Sequence, residues 1–589
     1  MASPQATPKT DPITAEIIIH SLRAITEELE VNLTRTSFSP LVYEYKDYAI
    51  GVVSASGGLI AQAQGGLPIF LADIGGPLPG VLEAHPLDSF APGDAVITND
   101  PETCGQHLNN VNMYMPVFAD GKVQAFIAVR PHWSDLGGKV LGSCLTNNTT
   151  DIYQEGIQFP ALKLVRAGQI DKDILRLIEK NTRLPEMVIG DMQAQLSACR
   201  LGVERFTALV EKFGWDAIQS TIEARWERSE AVTRARIAAL KDGEYKARCW
   251  LDNDGVRLDQ HVPLDITVRI RGDEIEIDMS DISEQVVGSC NAGYFGGGTT
   301  VAKVAMKYAI TPDLPADEGC FRPLKLILPM GKVLSSEPSA PKARWNLLTA
   351  SAVDTILHAF AEAMPDQAAA GHHSGQNSIQ FVGKSASGAK WQHHDTAHGG
   401  FGAWGTGDGT GPFKTLSHGD TKDIPIEIVE ARYPVLVEQL ELRPDSGGPG
   451  RRRGGLGMVR RYRIGADCEL NAAFERTSCP PYGLFGGQSA AVGAVTIEPP
   501  GAAAVHLTKA DSLPVLKDSI VTFHTAGGGG YGDPFERQVD EVQRDVALGY
   551  VSLAAARRDY GVAIDPVSFA VLAEETRALR AAPRVVTAA

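Results

Sequence analysis

Residues 111–133 read VNMYMPVFADGKVQAFIAVRPHW. Two apolar-rich runs flank Asp120-Gly121, a dipeptide that tolerates positive φ and so favours a two-residue hairpin turn. With that loop, residues whose numbers sum to 241 face each other, which sets His132 opposite Asn109. A three-residue loop sets it opposite Asn110 instead. Either way, the open end of the hairpin carries His132 on one strand, with His107, Asn109 and Asn110 leading into the other. Two imidazoles from separate positions converge there, which is the arrangement a divalent cation needs. The blander alternative is a polar hairpin mouth in which both histidines only satisfy backbone groups.

Working outward, DYAIGVVSASGGLIAQAQ (47–64) reads as another hairpin, two apolar-rich runs around a Ser-Gly-Gly turn. Glu44 and Asp47 stand at its start, placed to bring a hard oxygen ligand from that hairpin's own end. Further upstream, Asp11-Pro12 is a helix start, an N-cap followed by Pro at the first helical position. Ile18, Leu22, Ile25 and Leu29 recur at helical spacing and carry that helix to about residue 34. Downstream, 172–242 is helix-rich and 243–285 returns to short strands. Residues 286–412 mix Gly-rich loops with helices such as 300–310 and 350–363. Residues 425–525 read as largely β, and the tail after Gly532-Asp533-Pro534 as helical. The fold class is α+β, multi-domain and mixed. The spans are 1–242 with the candidate metal site, a central α/β region at 243–424, a β-rich region at 425–534 and a helical tail at 535–589.

A chain of 589 residues is long enough for more than one compact unit, and 43% hydrophobic content supports a sizeable core. Lys and Arg total 55 against 71 Asp and Glu, a formal charge of −16 that disfavours a nucleic-acid or anionic-membrane surface. The only dense basic run, Arg451-Arg452-Arg453, reads as a solvated turn. No apolar stretch is long enough to span a bilayer, and MASPQATPKTDPITAE lacks a signal-peptide core. The eight cysteines are scattered with no C-x-x-C pair and read as reduced thiols. The expected location is the cytoplasm.

Other motifs carry weaker signals. HHDTAHGGFGAWGTGDG (393–409) has an H-x-x-x-H spacing, but its glycines argue against the helix that this spacing needs. NAGYFGGGTTVAKVAMKYAI (291–310) runs from a glycine loop into a helix capped by Thr299 or Thr300. Its backbone N–H groups either bind an anion or pack closely on a sheet. Gly527–Gly530 lacks the P-loop layout, and no dinucleotide fingerprint follows a strand, so ATP is expected to be handled elsewhere. Cys104 lies near His107 but has no thiolate-stabilising surround in the sequence.

The ordered series DPITAEII, RTSFSPLVYEYKDYAIGV, GLIAQAQ, PGDAVITNDPETCGQHLNN, RPHWSDLGG and YQEGIQFPALKL resembles the B subunit of the N-methylhydantoinase/oxoprolinase family. The likeness continues through EGCFRPL, RYPVLVEQLELRPDSGGPGRRRGGLGMVRRY, YGLFGG and AGGGGYGDP, nearly the whole chain. The resemblance implies a partner, an A-type subunit with an actin-like ATPase fold that spends ATP to activate a cyclic amide or ketone. It also implies a metal-containing site on this chain, with Glu44, His107 and His132 as ligands. The family pattern His-Leu-Pro-Asp supplies a further ligand from its Asp. Here the stretch is His-Leu-Asn-Asn, so Asn110 takes that place, a neutral amide that binds a cation more weakly. Asp135, three residues past His132, is placed to compensate or else to hold the turn before Gly137-Gly138.

These readings lead to an ATP-dependent hydrolase subunit acting on a hydantoin, 5-oxoproline or another lactam. A divalent zinc, iron or manganese would polarise the carbonyl or activate water, with His132 in the catalytic centre and Asp47 as a supporting or general-base group. ATP enters through the partner subunit, so the assembly is a hetero-oligomer. The alternatives are a carboxylase of the acetone or acetophenone type, and a structural subunit whose metal site has decayed through Asn110.

Overall fold

The computed structural model describes residues 10–582 apart from Ala386 and Asp420. Helices mix with four sheets, as the α+β reading expects. Two compact units form. One takes in the chain up to Glu244, together with Thr267–Trp345 and Ser417–Ile424; the other takes in Tyr245–Ile266, Asn346–Leu416 and the chain from Pro425.

The first unit is built on a seven-stranded sheet. Its strands are β1 (Tyr48–Ser54), β2 (Leu59–Gln62), β3 (Ala95–Thr98), β4 (Asn112–Ala119), β5 (Lys122–Pro131), β6 (Leu162–Arg166) and β7 (Gln169–Ile170). They lie in the order β2-β1-β5-β4-β3-β6-β7, and every neighbouring pair is antiparallel. Nearly every residue of β1 and β4 is buried, so both faces are covered and the strands read as continuous apolar runs.

Helix α1 spans Pro12–Thr36, slightly beyond the expected end, and the Asp11 carboxylate accepts from the N–H groups of Ile13 and Thr14. Its Ile18, Leu22, Ile25, Leu29 and Leu33 join a core with Ile50, Met113, Met115, Ile127 and Val129 of the sheet and with Met192 and Phe206 of the Pro185–Phe213 helix. Burying each such side chain contributes about 1.5–3 kcal/mol. Gly202 lets that helix approach, since a Cβ there would meet Ile127 Cγ2 and Leu29 Cδ1 at 2.9 Å.

The β4–β5 hairpin turns at Asp120 and Gly121, both at positive φ, so the loop has two residues. Near the turn Phe118 faces Val123, but the register shifts between Val117 and Phe118, and above that bulge Met113 faces Val129. The extra residue moves His132 opposite Asn110, where the two form an isolated bridge. The partner is therefore the one expected of a three-residue loop, reached through a bulge.

The glycine run of 291–310 differs from expectation at its cap. A π-turn at Phe295–Thr299 leads directly into the Thr300–Ile310 helix, and neither threonine caps it. Close packing explains the glycines: a Cβ on Gly296 would lie 2.3 Å from the Cys104 carbonyl oxygen.

In the second unit, the strands Lys390–Thr396, Ser378–Lys384, Cys468–Ala473 and Lys509–Val515 form one antiparallel sheet in that order. Val435–Leu442, Met458–Ile464, Ile520–His524, Ala494–Glu498 and Val505–Leu507 form another. The tail is helical at Val539–Ala547, Leu553–Tyr560 and Ala573–Ala581, with Val542, Ala556 and Tyr560 in its core. Among the described residues no helix is long and apolar enough to cross a membrane.

Candidate functional site

The bulged hairpin delivers both histidines to one place. The ring centres of His107 and His132 lie 5.1 Å apart at an interplanar angle of 81°. Asn110 Oδ1 sits 2.9 Å from His107 Nε2, while its Nδ2 donates to Gln106 Oε1 at 2.7 Å. Because the amide is thus oriented, its oxygen accepts and His107 Nε2 carries the proton. His107 is buried, which lowers its pKa to about 4 against the pull of Asn110 and the Ala343 backbone. The imidazole is therefore neutral and able to act as a ligand.

Cys144 completes a group that the sequence reading missed. Its Sγ lies 3.4 Å from His132 Nε2, and one donor atom each from His107, His132 and Cys144 falls within 4.8 Å of the others. This is the one such convergence of three or more His, Cys, Asp or Glu among the described residues. Burial pushes the Cys144 thiol up, so it holds its proton unless a cation displaces it. No local spacing marks LGSCLTNN as ligand-bearing; the loop reaches the histidines through tertiary packing. Asp135 builds that loop. Its carboxylate accepts from the Gly142 N–H at 3.0 Å and pairs with Arg183 at 2.5 Å, which makes it a turn-holding residue.

The acid that the fold turns inward is Asp47. It is 3% exposed, its Oδ1 has no hydrogen-bond partner, and burial raises its pKa to about 7. Its carbonyl accepts the His132 N–H at 3.0 Å, fixing β1 against the histidine strand. Glu44 is part-buried at the end of the Pro40–Tyr43 turn, and its carboxylate is not in the converging group.

Behind these residues a buried network sets their positions. Gln106 donates to Asp73 at 3.1 Å, Asp73 pairs with Arg130 at 2.5 Å, and Arg130 Nε donates to Asn112. Asn112 in turn donates to Cys104 Sγ at 3.3 Å, and burial pushes that thiol up to about 12. A thiol so hard to ionise is a poor nucleophile, and the Asn112 amide gives Cys104 a place in the buried network instead. From the helix layer, Gln195 Nε2 donates to the carbonyls of Val111 at 2.9 Å and Val129 at 2.7 Å, one on each side of the hairpin mouth. Its Oε1 accepts from Trp133 Nε1 at 3.1 Å. In the other unit, His393 and His394 are neighbours on the Lys390–Thr396 strand and so point to opposite faces.

Residues 11–534 match the Hydantoinase B/oxoprolinase family. The chain belongs to that family. An uncharacterized protein of Methanocaldococcus jannaschii is 32% identical over 97% of this chain and 100% of its own length. The caprolactamase subunit beta of Pseudomonas jessenii is 28% identical, covering 94% of this chain and 96% of the relative. The crystal structure of the ATP-dependent caprolactamase from the same organism superposes with a TM-score of 0.89 at 26% identity, covering 97% of this chain and all of that one.

Proposed function

We propose that this member of the Hydantoinase B/oxoprolinase family is the B-type subunit of an ATP-dependent hydrolase that opens a cyclic amide, with an A-type subunit as partner. The observation that carries the reading is the convergence of His107, His132 and Cys144, with buried Asp47 bonded through its carbonyl to the His132 N–H. Metal–ligand bonds of about 2.0–2.3 Å place adjacent donor atoms about 3–4 Å apart. The 3.4 Å from His132 Nε2 to Cys144 Sγ fits that spacing. Two imidazoles and a thiol suit zinc, iron or manganese in that order of softness, better than magnesium or calcium.

His107, His132 and Cys144 would hold the cation, with the neutral Asn110 oxygen beside His107 and the Asp47 carboxylate outside the converging set. When bound, the ion supplies Lewis-acid polarisation of a carbonyl or a more acidic water. Asp47, raised to about 7, is poised to take and return a proton near neutral pH. His132 is anchored through its N–H on the Asp47 carbonyl, so ligand and proton carrier keep a fixed relation. Caprolactamase is named for a lactam substrate and its beta chain for a partner, which supports both parts of the reading.

The test is reconstitution. The chain is combined with an A-type subunit and ATP and offered hydantoin, 5-oxoproline and caprolactam, with metal content measured alongside. Ring opening of at least one substrate is expected only with both chains, with loss of metal and of at least about a hundredfold in rate for His132→Ala. Substrate-dependent fixation of bicarbonate without ring opening would instead place the chain among carboxylases. Metal-free chains throughout would leave it a structural subunit.

A further inference from the structure

A pocket lies in the first unit, on the edge of the sheet, with a volume of about 390 Å³. Small-molecule sites span about 300–1,000 Å³, so it can enclose a compact ligand. The Thr300–Ile310 helix supplies one wall through Lys303, Val304, Lys307 and Tyr308, which share a face at i, i+4 spacing. Leu59 and Gln62 of edge strand β2, Leu71 of the Pro68–Leu71 turn and Phe321 close it from other sides.

The lining is mainly apolar, yet it holds a cation without an acid. Lys303 is half-buried, and its ammonium lies 5.1 Å from the centre of the Phe321 ring. Among the described residues it has no ion pair or hydrogen bond. The neighbouring Lys307 is already committed, its Nζ donating to Thr311 Oγ1 at 2.9 Å. The acid nearest in effect, Asp73, is bound to Arg130 and Gln106 instead. In a chain of formal charge −16, an unpaired lysine turned into an apolar pocket is a place for an anion that also carries an apolar body.

We propose that this pocket is a binding site for a small organic carboxylate, with the carboxylate on Lys303 and an aliphatic body against Leu71, Val304 and Phe321. Gln62 is among the residues that line the same pocket. The site is separate from the histidine group: no residue that lines it belongs to the His107–His132–Cys144 set.

The experiment is calorimetric titration of the full chain with hexanoate, and with hexanamide as the neutral control of equal size. Saturable binding of hexanoate is expected, with hexanamide at least about tenfold weaker. Lys303→Met keeps the methylene stem and should weaken hexanoate at least about tenfold. Leu71→Trp, which fills the apolar end, should weaken hexanoate and hexanamide alike. Circular dichroism checks that both variants fold, and a variant that fails to fold is replaced by Lys303→Gln or Val304→Phe. Binding should survive His132→Ala unchanged. Absence of saturable hexanoate binding, equal binding of hexanamide, unaltered binding by Lys303→Met, or loss in His132→Ala alone would each overturn the proposal.

Discussion

Asn110 sits where one atom decides a charge. Its Oδ1 is 2.9 Å from His107 Nε2, a hydrogen-bond distance, and Asn110→Asp would add a negative charge there without changing the shape. The expected outcome is a transition metal present below one per chain in the wild type, higher in Asn110→Asp and absent in His107→Ala, read by elemental analysis of the purified proteins. Unchanged content in Asn110→Asp would show that position 110 does not face the ion. Glu155 gives a second test. Its Oε1 accepts from the N–H groups of Lys342 and Ala343, which lead into Trp345, whose ring centre lies 5.7 Å from that of His107. Burial raises its pKa from 4.5 to about 7. A raised folded-state value means that its contribution is complete below pH 4.5 and is lost as pH climbs through 7. At about 1.4 kcal/mol per pKa unit the loss is on the order of 3 kcal/mol. Glu155→Gln should therefore flatten the fall in urea-unfolding stability across that window. An identical slope in both proteins would contradict it. Asn110 as a ligand position rested on the family resemblance; the two histidines were legible because a hairpin mouth brings them together in either register, and Asp47 because it starts the neighbouring hairpin. Cys144 was not, since a loop held by Asp135 and Arg183 carries it in from outside the hairpin.

The elements around the site show how far local patterning reaches. Asp120-Gly121 announced the two-residue turn, and two apolar-rich runs announced both strands of the hairpin. The bulge lies at Gln124, opposite the step between Val117 and Phe118, and carries no such mark, because neither Gln124 nor its neighbours Val123 and Ala125 is a glycine or a proline; it is set by pairing across the sheet. One extra residue changes which side chain faces His132 and shifts the pairing of residues 113–117 with it. The same mouth is clamped by the Pro185–Phe213 helix. Gln195 is fully buried and satisfies the carbonyls of Val111 and Val129 and the indole N–H of Trp133. Gln195→Leu keeps the volume and leaves three buried polar groups without partners, each worth about 1–3 kcal/mol. Destabilisation of at least about 3 kcal/mol in urea is expected, together with faster amide exchange at residues 111–113 and 129–133 and lower metal retention. Wild-type exchange at those amides, with stability unchanged, would mean that the clamp does not set the mouth.

At the scale of the whole molecule, the chain visits its units more than once. Thr267–Trp345 and Ser417–Ile424 return to the first unit after Tyr245–Ile266 and Asn346–Leu416 have contributed to the second. Such crossings arise from long-range packing, so composition read in series along the chain announces the helix-rich and strand-rich stretches but not which of them share a core. The absence of a common nucleotide motif is more readable from sequence. A P-loop needs its lysine and hydroxyl one after the other behind the glycines, and the Gly527–Gly530 run continues into Tyr531-Gly532 instead. These glycines are needed for close packing within the second unit, where a Cβ on Gly529 would lie 1.8 Å from the Tyr482 carbonyl oxygen. They leave no cradle of free N–H groups there: Gly528, Gly529 and Gly530 donate to the carbonyls of Gly455, Gly371 and Gln488 at 2.7–2.9 Å. On the proposed two-subunit reading, ATP is handled by the A-type chain. The isolated chain is expected to show no ATP-induced shift in melting temperature and no phosphate release above background, with both activities appearing only when an A-type subunit is added. Robust ATP hydrolysis by this polypeptide alone, abolished by a substitution within it, would require a nucleotide site of a different construction and would separate it from the two-subunit reading.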